Sequence, residues 1–364
     1  MAREDLASAE GAPAPLSPLE PDDMTPARLL GLGRRVAERT WAHGIPRWFW
    51  GEGVALLGLG TFGMAAASGD EERVRRWIDE RLLAGLTIEH VNDLAPGTAA
   101  LAVDEKGRYA EALRPLATWV LSNPAATRAS NGALEHWPGD VWADTMFMAG
   151  AFLARYARST ENASLLEVAG RQLVLHSEVL QDPGTALFAH GAHRGETIWS
   201  FWGRANAWAA LAAVEFLEAS ADTDVDARLR AEVTERLERQ LVTLAQLQPD
   251  HGVWDVLVDG ASETAGIVET SAAAGLAAAM LRAGRVVPGL APAVVDAGWR
   301  AARGSLAYVD ASGALTRVSA GTVLQLLPFG YSVIRNDLVQ PWGQGLALLA
   351  VVEALRGPFN SSPT

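Results

Sequence analysis

Two aspartates, Asp140 and Asp144, stand four residues apart in WPGDVWADTMFMAGAFLARY (residues 137–156), on the threshold of an apolar helical run. An acid in that place has two uses. It can cap the helix, whose first N–H groups lack intrahelical acceptors. Alternatively it can face a pocket walled by Trp142 and Met146 and move a proton there. Position alone favours the cap for Asp144, and Asp140, which follows Pro138-Gly139, is the better cap or turn residue.

The other residues with chemical potential gather in short stretches that precede apolar runs. They read WFWGEG (48–53), HVNDLAPG (90–97), HWPGDVWADT (136–145), FAHGAHRGETIWSFWGRANAW (188–208), HGVWDVLVDG (251–260) and QPWGQG (340–345). Histidine, tryptophan and acids concentrate in them. Thirteen tryptophans against nine phenylalanines and four tyrosines is an unusual balance. Their clusters at 48/50, 137/142 and 199/202/208 suggest walls on which a flat ring could stack, since indole offers an apolar face with one donor at its edge. No metal is expected. The chain has no cysteine, its histidines show no HxxxH pairing, and His190 with His193 alone make an insufficient ligand set. No cofactor is expected either.

Those stretches need elements to position them. Apolar residues recur at helical spacing near 26–42, 52–66, 71–85, 97–105, 108–122, 145–158, 164–180, 206–219, 225–247, 270–283, 291–307 and 343–356. Segments starting at 52, 97, 145, 206, 270 and 343 are rich in Gly, Ala and Leu and apolar nearly all round, so they should be buried. Those starting at 26, 71, 108, 164, 225 and 291 carry Arg and Glu on one side, as in DARLRAEVTERLERQL, and should lie outside. Inner and outer alternate six times. That pattern predicts an all-α (α/α)6 barrel, a toroid of six hairpins in which every inner helix enters from one end. An open solenoid also alternates helix pairs, but with a shorter and more regular repeat. Here the inner starts grow further apart, which implies long inserted loops at 182–205, 248–269 and 308–342, and loops of that length are usually functional. Residues 1–24 read as a disordered leader, 25–358 as one barrel and 359–364 as a tail.

Composition narrows the partners. Of 364 residues, 49% are hydrophobic, enough for a large core. Net charge is −13, and the thirty basic residues, Lys106 the one lysine among them, form no cluster. Nucleic acid is therefore not an expected partner. No apolar run reaches membrane-spanning length and the first residues lack a secretory pattern, so a cytoplasmic protein is expected; the oligomeric state is not legible.

VWADTMFMAGAFLARY, AHG followed by FWGRANAW, ETSAAA and the terminal WGQGLALLAVVE, in that order, resemble the unsaturated uronyl hydrolases. Glycoside hydrolase family 105, the unsaturated rhamnogalacturonyl hydrolases, is the nearer likeness, and family 88 its relative. The likeness runs from about residue 48 to 356 and implies an (α/α)6 barrel. It also implies a metal-free reaction on the 4,5-unsaturated uronic acid that a polysaccharide lyase leaves at an oligosaccharide end, with unsaturated galacturonyl-rhamnose from pectin as the expected substrate. C-4 is protonated, water adds at C-5, and the resulting hemiketal opens and releases the neighbouring sugar. One carboxyl group serves in turn as acid and base, unlike the paired carboxylates of ordinary glycosidases.

By the same resemblance Asp144 is the catalytic acid/base, which reverses the positional preference for a cap. Burial against Trp142, Met146 and sugar is expected to raise its pKa against the helix N-terminus. Trp202, Arg204 and Trp208 match substrate-contacting positions, His190 the pocket histidine, and Trp50 (or Trp48) an aromatic platform. Asn92 or Asp93 fills a further polar position; if it is Asn92, a second carboxylate found in some relatives is missing. Glu269-Thr270-Ser271 are expected to cap the fifth inner helix, and Trp342 to pack or to reach the rim. Two other readings stand beside this one: a sugar 2-epimerase or isomerase using His190 and His251, and a non-catalytic sugar-binding scaffold.

Overall fold

The computed structural model describes residues 13–104 and 107–357. Six helices form an inner ring: α2 (Trp50–Ala66), α4 (Ala95–Ala102), α6, α8 (Gly203–Ala219), α10 (Thr270–Val286) and α12 (Pro341–Leu355). The α6 helix runs in three pieces, Ala143–Thr145, a π-helical Met146–Ala151 and Phe152–Ser159. Six more surround them: α1 (Pro26–His43), α3 (Asp70–Ala84), α5 (Ala110–Ser122), α7 (Ala163–Leu180), α9 (Ala227–Gln246) and α11 (Pro292–Leu306).

Burial follows the sequence pattern. On α8 nearly every residue is buried, whereas α3 buries only Val74 and Ile78, and α9 buries Val233, Leu237, Gln240, Leu241 and Leu244 along one stripe. An all-apolar helix is stable in water only when neighbours cover its whole circumference, and the ring supplies them. Each inner helix packs on the next, and α12 returns to pack on α2. An open solenoid leaves its first and last repeats apart; this ring closes, so the fold is the (α/α)6 barrel.

Closure depends on small residues. A Cβ on Gly58 of α2 would collide with the backbone of Gly345 on α12, and a Cβ on Gly345 would collide with Val54. The two backbones meet where neither side has a side chain. At the other ends of the inner helices a buried ion network joins α6, α8 and α10. Arg155 makes two bonds to Glu215 (2.6 and 2.8 Å), and Arg282 reaches Glu215 at 2.7 Å and Glu218 at 2.5 Å. Burial alone would raise the Glu215 carboxyl, but the two guanidinium groups hold it well below the usual range.

Two features depart from the sequence expectation. The loops are not all irregular: β1 (Asp140–Trp142), β2 (Gly191–His193) and β3 (Glu196–Ile198) form an antiparallel sheet, with Trp142 opposite Gly191. Three-residue strands are too short to show an alternating pattern. Part of the expected leader also has a defined place. Residues 13–24 lie against the barrel, with Leu16 N–H donating to Tyr308 Oη at 2.8 Å, Leu19 N–H to the Arg303 carbonyl at 3.1 Å, and Arg317 to the Pro13 and Ala14 carbonyls. A proline-rich segment leaves backbone groups free, and here they find partners on and beyond α11. Residues 1–12 of the expected leader and the 359–364 tail lie outside the described residues. Among the described residues no helix is long and apolar enough to cross a membrane.

Candidate active site

Because the inner helices start at one end, the stretches before them converge there. They enclose a cavity of about 250 Å³ lined by Phe49 and Trp50 before and on α2, Asn92 before α4, and His136, Trp137, Trp142 and Asp144 around the start of α6. Trp202 and Arg204 at the start of α8 and Gly321–Val323 ahead of α12 complete the wall.

Asp144 caps nothing. Its helix begins after Trp142 without a side-chain cap, and its carboxylate faces the cavity with little exposure. A π-helical stretch follows at once, a distortion that recurs beside functional residues. Asp144 Oδ2 lies 3.4 Å from His190 Nε2, without hydrogen-bond alignment. Five polar atoms of this cluster are buried without a partner: Asp144 Oδ2, His190 Nε2, Trp142 Nε1, Trp202 Nε1 and Arg204 Nε. Buried polar groups are nearly always satisfied, so so many orphans around one acid mark a place prepared for a polar ligand.

The pKa expectation is corrected. Burial is the largest influence on Asp144 and raises it. The His190 contact, with smaller contributions from His136 and Arg204, outweighs burial and leaves the carboxyl below its usual value.

Other expected residues divide. Trp50 lines the cavity, stacked on Trp342 at 4.4 Å, so Trp342 backs the wall. Trp142 lies parallel to His136 at 4.5 Å. The Arg204 guanidinium is buried between Trp202 and Trp342. It donates to Ser319 Oγ at 2.7 Å and to the Ala320 carbonyl at 2.9 Å, and pairs with Glu269 at 3.4 Å. Glu269 caps α10 as expected, accepting from Ala272 N–H. His190 stands just behind the wall, touching Asp144.

Two expected contacts fall away from the cavity. Trp208 is fully buried and stacks on Phe147 at 4.9 Å; lying further along α8 than Trp202 and Arg204, it faces the barrel core. Asp93 accepts from the N–H groups of Glu89 and His90, both at 2.9 Å, and so closes the turn before α4. The cavity residue of that pair is Asn92. Asp140 is a turn residue rather than a cap: its N–H donates to the Trp137 carbonyl at 2.8 Å across Pro138-Gly139, and its carboxylate hydrogen-bonds His193, its partner on β2, at 2.6 Å. His251 packs against α11 near Gly304 and does not join His190, so the two-histidine arrangement of an epimerase is not assembled. Among the described residues no group of three or more His, Asp or Glu side chains could hold a metal ion.

Trp137 lines the cavity as its cluster with Trp142 suggested, whereas His136, Phe49 and the Gly321–Val323 wall carry no individual mark in the sequence. His136 stands in the same short stretch as Asp144, which is the available signal. The 321–323 wall carries no such mark.

A family model, Glycosyl Hydrolase Family 88, matches residues 34–357. The chain belongs to that family. A family 88 match of this extent takes in every inner helix and every cavity residue. The chain is 32% identical over 343 residues to the unsaturated rhamnogalacturonyl hydrolase YesR of Bacillus subtilis (strain 168), covering 88% of this chain and 93% of that one. Its fold is shared with a possible member of the GH105 family from Klebsiella pneumoniae (TM-score 0.80, 24% identity, 98% and 99% of the two chains). It is also shared with the unsaturated glucuronyl hydrolase of Bacillus sp. GL1 (TM-score 0.70, 16% identity, 90% and 96%). This family 88 protein is thus a glycoside hydrolase on an (α/α)6 barrel, as its motifs implied.

Proposed function

We propose that this enzyme removes a terminal 4,5-unsaturated uronic acid from lyase-generated oligosaccharides, with unsaturated galacturonyl-rhamnose as the preferred substrate. The observation that carries the reading is the solitude of Asp144. Among the described residues that line the cavity it is the one acid, and the polar residue supplied by the stretch before α4 is the neutral Asn92. Ordinary glycosidases need two carboxyl groups flanking the scissile bond; hydration of an enol ether needs one. Asp144 gives its proton to C-4 and the C-4/C-5 double bond becomes a cation shared with the ring oxygen. Water then bonds to C-5 and returns a proton to the Asp144 carboxylate. The hemiketal opens and the neighbouring sugar leaves.

Trp50, Trp142 and Trp202 supply flat faces for the planar unsaturated ring. Asn92 supplies a neutral donor and acceptor for a hydroxyl or the attacking water. The one cation of the lining, Arg204, is already engaged by Glu269, Ser319 and Ala320. Its charge is paired with Glu269 and only its Nε is left unpartnered, which favours a neutral leaving sugar such as rhamnose over a sulfated one, in keeping with the name of the Bacillus subtilis relative.

The test is a panel of unsaturated disaccharides from pectin, ulvan and glycosaminoglycan lyases, followed by loss of ultraviolet absorbance. The unsaturated galacturonyl-rhamnose should be turned over with the highest kcat/KM, and Asp144→Asn should abolish the loss while leaving the circular dichroism unchanged. Wild-type binding without turnover, or full activity in the variant, rejects the proposal.

A further inference from the structure

We infer that Tyr331 is a positioning residue that locks His190 in the tautomer whose Nε2–H faces Asp144. The inference rests on the hydrolase reading for its catalytic meaning, but its geometry stands independently.

Tyr331 belongs to the segment that supplies the Gly321–Val323 wall. A short helical turn, Phe329–Ser332, sends it inward. It is fully buried, while its neighbours Phe329 and Val333 are well exposed. Its hydroxyl lies 2.7 Å from His190 Nδ1 and 3.4 Å from the Gln325 N–H.

Accounting for protons fixes the direction. The Gln325 N–H can only donate, so the tyrosine oxygen accepts from it. The hydroxyl's own proton then has one acceptor among the described residues, His190 Nδ1. A ring nitrogen that accepts cannot carry a proton, so neutral His190 bears its hydrogen on Nε2. That hydrogen points to the side where Asp144 Oδ2 waits at 3.4 Å. Trp202, with its ring centre 4.4 Å from that of His190, and Trp142 at 5.3 Å hold the imidazole in place. The titratable and charged groups facing the pair are Tyr331 on the rim segment, His136 ahead of α6 and Arg204 on α8.

The consequence is a division of labour. With its proton on Nε2, His190 presents a donor toward the Asp144 carboxylate, 3.4 Å away, and cannot take a proton from it. Asp144 therefore delivers its proton to the sugar rather than to the histidine. It also regains a donor when it becomes an anion. Without the Tyr331 hydroxyl, Nδ1 can carry the proton and Nε2 turns a lone pair toward the acid, which then loses its proton to the wrong partner.

Two measurements on the full-length enzyme test this. Histidine side-chain 15N spectra of the wild type, assigned with His190→Gln, should show His190 protonated on Nε2 and bare on Nδ1. A proton on Nδ1 overturns the inference whatever the activity. Tyr331→Phe should then lower kcat on the unsaturated disaccharide roughly tenfold, the scale of one misplaced hydrogen bond. KM should stay nearly constant and the alkaline limb of the kcat–pH profile should move. An unchanged kcat and profile in a folded Tyr331→Phe protein also overturns it. If the wild type and Asp144→Asn are equally inactive on every disaccharide, the hydrolase reading fails instead, and the 15N result still decides the tautomer.

Discussion

Asp144 Oδ2 and His190 Nε2 stand 3.4 Å apart inside a tryptophan shell, and neither atom has a hydrogen bond. In the free protein this pairing keeps the acid ionised, since its pKa is lowered. The acid needed for the reaction must therefore be formed on binding. A sugar that displaces water and brings its own carboxylate near Asp144 disfavours the ionised form. Because kcat/KM reports the free enzyme and kcat the complex, the alkaline limb of kcat should lie at higher pH than that of kcat/KM. Coincident limbs in a full pH series would remove this account of how the acid is charged.

His136 should make the protein acid-sensitive. Burial pushes its imidazole down to about 3, against an unfolded value near 6.5. Between those limits the unfolded chain binds a proton that the native state refuses. Stability therefore falls as pH drops from about 6.5 toward 3, by at most about 1.4 kcal/mol per pH unit for this one group. Urea unfolding across that range should show the loss, and His136→Gln should flatten it by one proton. An equal slope in the variant contradicts the assignment.

Trp202 and Trp208 share one short motif but should respond differently. Trp202→Ala removes a wall of the cavity and should raise KM for the disaccharide severalfold or more. Trp208 packs on Phe147 away from the cavity, so Trp208→Ala should cost about 3–5 kcal/mol of stability. The milder Trp208→Phe should keep KM close to wild type. A KM change in Trp208→Phe as large as in Trp202→Ala would return Trp208 to the sugar site.

Arg204 and Glu269 should behave as a unit. Breaking a buried ion pair strands the remaining charge and costs about 3–5 kcal/mol. Arg204→Gln or Glu269→Gln alone should each approach that loss in denaturant titrations. The double variant should lose clearly less than the sum, because it strands no charge. Strict additivity would mean the two are independent.

The barrel was legible because twelve segments kept helical spacing and split cleanly into all-apolar and one-sided types. Asp144, Trp202 and Arg204 stand where inner helices begin, but that position alone read Asp144 as a cap, and it is the resemblance to the uronyl hydrolases that singled the three out. What escaped depends on separation in sequence. Nothing near residue 331 announces that its hydroxyl meets His190, and a one-turn advance along α8 decides that Trp208 faces the core while Arg204 faces the cavity. The direction of the Asp144 pKa escaped for the same reason: it is set by His190, a residue of a distant loop paired across β1 and β2.

The glycine contact between α2 and α12 also bears on how the chain is made. The apolar flank of α2 that Gly345 finally covers belongs to the second helix of the barrel, and its cover belongs to the twelfth. Until the ribosome has released that twelfth helix, the nascent barrel carries an unmatched greasy edge. Its vulnerable interval in the cell therefore lasts from the making of α2 to the making of α12, and a messenger cut short before residue 341 should yield a sticky crescent.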